Sequence, residues 1–154
     1  MRVTLLAVAI LCGLGMAASA QPGMPDRSAA NPLSGAMRNV SSPWLHHAIS
    51  DVGTNPTGWK QQWCAKSLNM WLHKSGKKGC GGNTAISCLH AGRKLSGPQV
   101  GAIAVMKHHV GIVKEVSGSQ VTLVSGNHSG RAGARSVGVG EYSRGKVIAY
   151  VWPE

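Results

Sequence analysis

One cysteine in this 154-residue chain stands where a nucleophile would gain most. In WKQQWCAKSLNMWLHKSG, residues 59–76, Cys64 follows Trp63 at what reads as the first turn of a helix. Backbone N–H groups at a helix N-terminus point outward unpaired, and their partial positive charge favours a thiolate. The thiolate is the attacking species in cysteine catalysis, and the same N–H groups can hold the oxyanion of a tetrahedral intermediate. The competing reading is a buried apolar residue, the commoner fate of a lone cysteine.

Cysteine chemistry needs a base, and seven histidines are on offer: His46, His47, His73, His90, His108, His109 and His128. His46 and His47 lie on an earlier helix and read as surface or packing residues. His73 is over two turns along the cysteine helix, and His90 sits late in a helix, where an imidazole suits the dipole. His109 differs. It opens the strand pattern HVGIV, with Gly111 leaving open space beside it, so a strand edge facing a helix N-terminus would bring it to Cys64. A third group should orient the imidazole. The polar residues at the end of the next strand are Ser125, Asn127 and His128. If residues 109–116 and 121–128 form a regular hairpin, His109 faces His128, whereas a one-residue bulge puts Asn127 beside it.

The elements that must position these groups follow from pattern and punctuation. Residues 1–20, MRVTLLAVAILCGLGMAASA, have a basic start, an apolar core and an Ala-Ser-Ala end, the layout of a signal peptide. Export to a secreted or periplasmic location, without stable membrane insertion afterwards, is the expectation. Residues 21–42, rich in Pro, Gly, Ser and Ala, read as a flexible leader, and residues 43–154 as one domain. Ser42-Pro43 signals a helix start, with Trp44, Leu45, Ala48 and Ile49 at helical spacing and Gly53 beyond its end. In the Cys64 helix Ala65, Leu68 and Leu72 form a stripe beside Trp71, and Gly76 is the natural stop. A short helix capped by Asn83 is expected to end at Gly92. VGAIAVM, HVGIVKEV, QVTLVSGN and KVIAYVW then read as strands, with glycine-rich SGRAGARSVGVGEYSRG read as a break. Helices followed by an antiparallel meander make the class α+β.

After export three cysteines remain, and an odd count in an oxidising compartment leaves one thiol over. Cys80 and Cys88 are close enough in sequence to pair as a disulfide; the alternative is two small buried hydrophobes. Either way Cys64 is the free one. Sixteen basic and five acidic side chains include only Arg2 in the signal segment, so fifteen against five leave a net +10. That balance suggests an anionic partner, with a cell wall favoured for an exported protein over a merely soluble basic surface. The basic residues are scattered and no nucleic-acid reading motif is present. A glycosidase needs two facing carboxyl groups, and only Asp51, Glu115 and Glu141 could plausibly supply them. The histidines lack the spacing of a zinc-protease helix, so no metal or other cofactor is expected.

The order WCA at a helix start, GAIAVM, HVGIV, VTLVSGN and KVIAYVWP resembles the CHAP and NlpC-type cysteine amidohydrolases and peptidases. More narrowly it is similar to a small bacterial and phage family with a GTNPTGW, WCA, GHVGIV, SGNH pattern. The match runs from about Asp51 to Pro153. The resemblance implies a papain-like fold in which a nucleophile helix packs on an antiparallel sheet. It implies that Cys64 attacks a peptidoglycan amide, that His109 acts as base and then acid, and that Asn127 orients His109, with His128 in reserve. Two departures stand out: Ser125 occupies the place of a glutamate often found in CHAP proteins, and His108 that of a glycine. The expectation is therefore a monomeric, metal-independent peptidoglycan amidase or endopeptidase. The other readings are a catalytically inactive wall-binding module of the same fold and a metal protein.

Overall fold

The computed structural model describes residues 42–129 and 135–154. The expected signal peptide, and the expected leader apart from Ser42, lie outside the described residues. Among the described residues two α-helices come first, α1 (Pro43–Ser50) and α2 (Cys64–Lys74). A 3-10 turn, Ile86–His90, then leads to six strands: β1 (Gly92–Leu95), β2 (Ile103–Met106), β3 (Val110–Ser117), β4 (Gln120–Ser129), β5 (Arg135–Ser143) and β6 (Val147–Pro153). They form one antiparallel sheet in the order β1-β6-β2-β3-β4-β5. The class is α+β, as the sequence pattern predicts. β2, β3 and β4 run as the expected meander, β5 continues it where a break was expected, and β6 returns beside β2 instead of following β4.

Helix ends follow local chemistry. Pro43 occupies the first helical turn of α1, but the Ser42 side chain makes no capping bond; its hydroxyl is buried without a hydrogen-bond partner beside Gly101. α2 stops where expected. Gly76 takes a left-handed φ of 70°, its N–H donates to the His73 carbonyl, and the Lys77 N–H donates to the Leu72 carbonyl at 2.9 Å. This is a Schellman arrangement, which satisfies carbonyls that the helix leaves unpaired. The indole N–H of Trp71 donates to Asp51 Oδ2 at 2.7 Å, tying α2 to the end of α1.

The principal core lies between the helices and one sheet face. Trp44, Leu45 and Ala48 of α1 and Ala65, Leu68, Trp71 and Leu72 of α2 pack with Ile103, Val105, Val110, Ile112, Val124, Val137 and Val151. Alternate residues of the same strands, among them Ala104, Met106, Val113, Val121 and Leu123, build a second cluster with Tyr150. Strands buried on both faces read as continuous apolar runs, which is why VGAIAVM and HVGIV were legible.

Three expectations need correction. Asn83 does not cap a helix: the segment turns as a 3-10 helix from Ile86, with Ala85 before it. Asn83 instead accepts a bond from Asn69 of α2. GRKL is a strand because it pairs with the end of β6, although its four residues carry no apolar alternation. Most of the supposed glycine-rich break is β5, for a reason that lies in the site.

Cys80 and Cys88 form a disulfide across a Cα separation of 4.2 Å, leaving Cys64 as the free cysteine among the described residues. Asn69 clamps the bridged loop to α2, its amide donating to the Gly82 carbonyl at 2.7 Å and its oxygen accepting from the Cys80 N–H at 2.6 Å. Cross-linking so short a loop removes chain entropy from the unfolded state worth roughly 2.5 kcal/mol. Cys88→Ser is expected to lower the unfolding free energy by about that much, measured by urea titration without reductant.

Candidate active site

Cys64 is the first residue of α2, and the packing of that helix fixes where its sulfur lies. Trp63 just before it is fully buried, and the Ser67 hydroxyl donates to the Cys64 carbonyl at 2.9 Å. Gly126 of β4 touches both neighbours: a Cβ there would overlap Ser67 Oγ and come within 2.7 Å of the Trp63 ring. The SGN motif therefore has its glycine where α2 meets the sheet. Gly126→Ala is expected to cost about 1–3 kcal/mol, the usual penalty for overpacking, and to push Cys64 away from the sheet. Thermal unfolding checks the first effect and loss of activity the second.

The sulfur sits among the backbone N–H groups of Val110, Ala65 and Cys64 itself. The residue is only 6% exposed. Burial pushes the thiol above its ordinary value, and the three N–H groups offset this only in part. Desolvation thus outweighs the first-turn N–H groups, and the balance runs against the thiolate expected from the helix start.

His109 lies one residue before β3. Its ring stacks on Tyr142 of β5 with centroids 5.6 Å apart, and Nε2 is 2.9 Å from Ser125 Oγ. Burial drives the imidazole down to about 4, with the neighbouring His128 adding to the shift. It is therefore a neutral base above that pH. No hydrogen bond joins the Cys64 thiol to His109 in this resting arrangement, contrary to expectation. Their connection is Val110, which follows His109 directly and offers its N–H to the sulfur.

The bulge alternative is the one realised, at Lys114 and not at a glycine. Val116 faces Val121, but after Lys114 the register shifts and Ile112 faces Val124. Continued, this would put Asn127 opposite His109. A second irregularity intervenes between Ser125 and His128, where β4 bulges against β5 and Asn127 takes a left-handed φ of 58°. Ser125, diagonal to His109, thereby becomes the partner of its ring. Gly111 does not leave open space; a Cβ there would come within 2.9 Å of the Val124 carbonyl and 3.0 Å of Ser125 Cβ. The missing side chain is what lets β4 bring Ser125 in.

Asn127 makes no hydrogen bond to His109 among the described residues, and its Oδ1 is buried without a partner. It forms the wall between two clefts. One, of about 340 Å³, is lined by Cys64, Gln62, Asn127, Lys107, His108 and the Asn83–Ile86 segment. The other, of about 320 Å³, is lined by His109, Asn127, His128, Ser129 and Tyr142. His128 lays its ring across β5, where a Cβ on Gly138 or Gly140 would strike it at 2.5 Å and 2.8 Å. Those glycines, which made the segment read as a loop, are the close approach that admits His128.

Sequence reasoning counted Ser125 among the polar residues at the end of this strand but favoured Asn127, and it missed Tyr142 altogether. The phenol is pushed above its ordinary value by burial, drawn back by a hydrogen bond with Ser125, and raised further by its nearness to Cys64. The one available signal was an aromatic in EYS, inside a stretch discarded as loop. The remaining histidines stay apart from these clefts, His108 excepted; His73 Nε2, for instance, meets the Lys78 carbonyl at 3.1 Å. Neither cleft is lined by a carboxylate. Glu115 and Glu141 are exposed and both register with Thr122, at the other end of β4. Among the described residues no group of three or more His, Cys, Asp or Glu is placed to hold a metal ion. No helix among them is long and apolar enough to cross a membrane.

No protein-family model matches the chain, and no curated protein matches it. Among solved structures, the chain is similar to the peptidoglycan hydrolase RipB from Mycobacterium tuberculosis, at 15% sequence identity and a TM-score of 0.47, with 85% of this chain and 72% of that chain covered.

Proposed function

We propose that the protein is an exported cysteine amidohydrolase that cleaves an amide bond of peptidoglycan. The observation that carries this reading is a free cysteine at the first turn of a helix, open to a cleft and resting on the N–H of the residue that follows an anchored histidine. The motif order from Asp51 to Pro153 and the cationic composition supply the substrate class.

In this reading His109 takes the thiol proton on Nδ1 as the substrate carbonyl enters, since Ser125 holds Nε2. Catalytic hydrogen bonds that are absent in a free enzyme often close only in the substrate complex. The sulfur forms a bond to the carbonyl carbon, and the C=O pair becomes an oxyanion. The N–H groups of Cys64 and Ala65 in the first turn of α2, which rest on the sulfur in the free protein, are placed to stabilise it. Collapse breaks the C–N bond, and His109 returns its proton to the leaving amine. Water then attacks the thioester, again giving a proton to His109, and releases the carboxylic acid and the thiol. No metal is needed. Ser125 orients the base, with Tyr142 stacked on its ring, and Asn127, which lines both clefts, offers its oxygen to substrate.

One observation favours a second reading, a wall-binding module without activity: Cys64 is buried, and burial pushes its thiol up. Digestion of purified peptidoglycan separates the two. The amidohydrolase releases free amino groups without new reducing sugar ends. Reducing ends would overturn it in favour of a glycosidase, and binding with no cleavage would favour the inactive module.

A further inference from the structure

The cleft beside Cys64 has a composition that the cleavage chemistry does not require. Two of its lining side chains are cationic or can become so, Lys107 and His108, and none is acidic. Both are exposed, and they form the two-residue loop between β2 and β3, closed by a 2.9 Å bond from the Met106 N–H to the His109 carbonyl. A two-residue hairpin loop has little freedom. The turn that carries the base therefore also holds two nitrogen donors at a set place relative to the thiol. Another part of the lining is Ala85 and Ile86, the latter an exposed large apolar side chain at 41%. That wall lies inside the Cys80–Cys88 loop, which Asn69 clamps to the nucleophile's own helix. Asn127 lines the cleft as well, with a buried oxygen that has no partner. A buried acceptor without a donor is costly, and a ligand N–H would relieve it.

We propose that this cleft is a subsite for a peptide bearing a free carboxylate next to a small aliphatic side chain. The carboxylate meets Lys107 and His108, the aliphatic group lies on Ala85 and Ile86, and a backbone N–H of the peptide donates to Asn127 Oδ1. The assignment rests on reading Cys64 as the nucleophile of this cleft and specifies what the substrate must carry beside the scissile amide. Exposed charges contribute modestly, a few-fold in affinity each, and are screened by salt.

The test uses the full chain with Cys64→Ala, so that nothing turns over, and two probes: N-acetyl-alanyl-glutamyl-alanine and its diamide. Binding is followed by NMR through the resonances of residues 84–86 and 107–109. The free acid is expected to bind about tenfold more tightly than the diamide in low salt. Adding Lys107→Gln and His108→Asn should remove that preference and leave diamide binding unchanged, which also reports that the fold is intact. Half-molar salt should shrink the preference in the Cys64→Ala protein. Equal affinity for the two probes, no binding of either, or a preference that survives loss of both side chains overturns the proposal. Failure of the hydrolase reading looks different: acid-selective binding would persist while wild-type protein releases no amine from peptidoglycan.

Discussion

His109→Ala is expected to lower amide cleavage about ten-thousand-fold, at the upper end of what a general base contributes. The size follows from the state of the thiol. Had the first turn of α2 kept Cys64 ionised, loss of the base would leave a nucleophile behind. Burial instead keeps the thiol protonated, so without His109 almost no thiolate exists at pH 7. The same reasoning sets the pH dependence of the wild type. With the imidazole down at about 4, kcat/KM should rise through an acid limb near that pH and stay flat through neutrality. Ser125→Ala should have a smaller effect, about tenfold to a hundredfold, because it removes a positioning bond and not the base. Ser125→Thr, which keeps the hydroxyl, should recover most of the rate. Initial rates of amine release across pH, with circular dichroism to verify folding, check all three.

The second large effect is on stability in acid. His109 titrates near 6.5 when exposed but at about 4 when folded, so between those values the unfolded chain binds a proton that the folded chain does not. Stability must then rise with pH through this window and fall as pH drops through it. The loss from pH 7 to pH 4 is about 3 kcal/mol from this group. In His109→Gln the contribution should vanish, leaving a shallower acid dependence. Urea unfolding of both proteins at pH 7 and pH 4 measures the difference. His128 adds to the effect through repulsion, so His128→Gln should narrow the window by raising the His109 value.

The sequence was informative where burial imposes a period and uninformative where contact between distant segments decides. The stripe of Ala65, Leu68 and Leu72, the stop at Gly76 and the strands around Ile103, Ile112 and Val124 were legible because core positions recur at 3.6 or follow one another in continuous runs. The free state of Cys64 was legible as arithmetic, and the Cys80–Cys88 bridge as one of two options. β5 was not legible. Its glycines signal a loop unless one knows that the His128 ring crosses them. The orienting side chain was not legible either, because two bulges, at Lys114 and at Gly126-Asn127, decide which residue of β4 reaches His109. A one-residue slip exchanges the faces of a strand, and bulges leave little trace in composition. The protonation state of Cys64 depended on the balance of helix N–H groups against desolvation, and only the packing of Trp63 and α2 against the sheet fixes the second of these.

All of this chemistry passes through one sulfur atom, and its removal is the most direct measurement. Peptidoglycan is incubated with wild type and with Cys64→Ala, both shown to be folded, and the fragments are analysed by mass for newly freed amino groups. The wild type should release them and the variant should not, a difference of at least about ten-thousand-fold. Amine release by Cys64→Ala at a rate near that of the wild type would contradict cysteine catalysis outright.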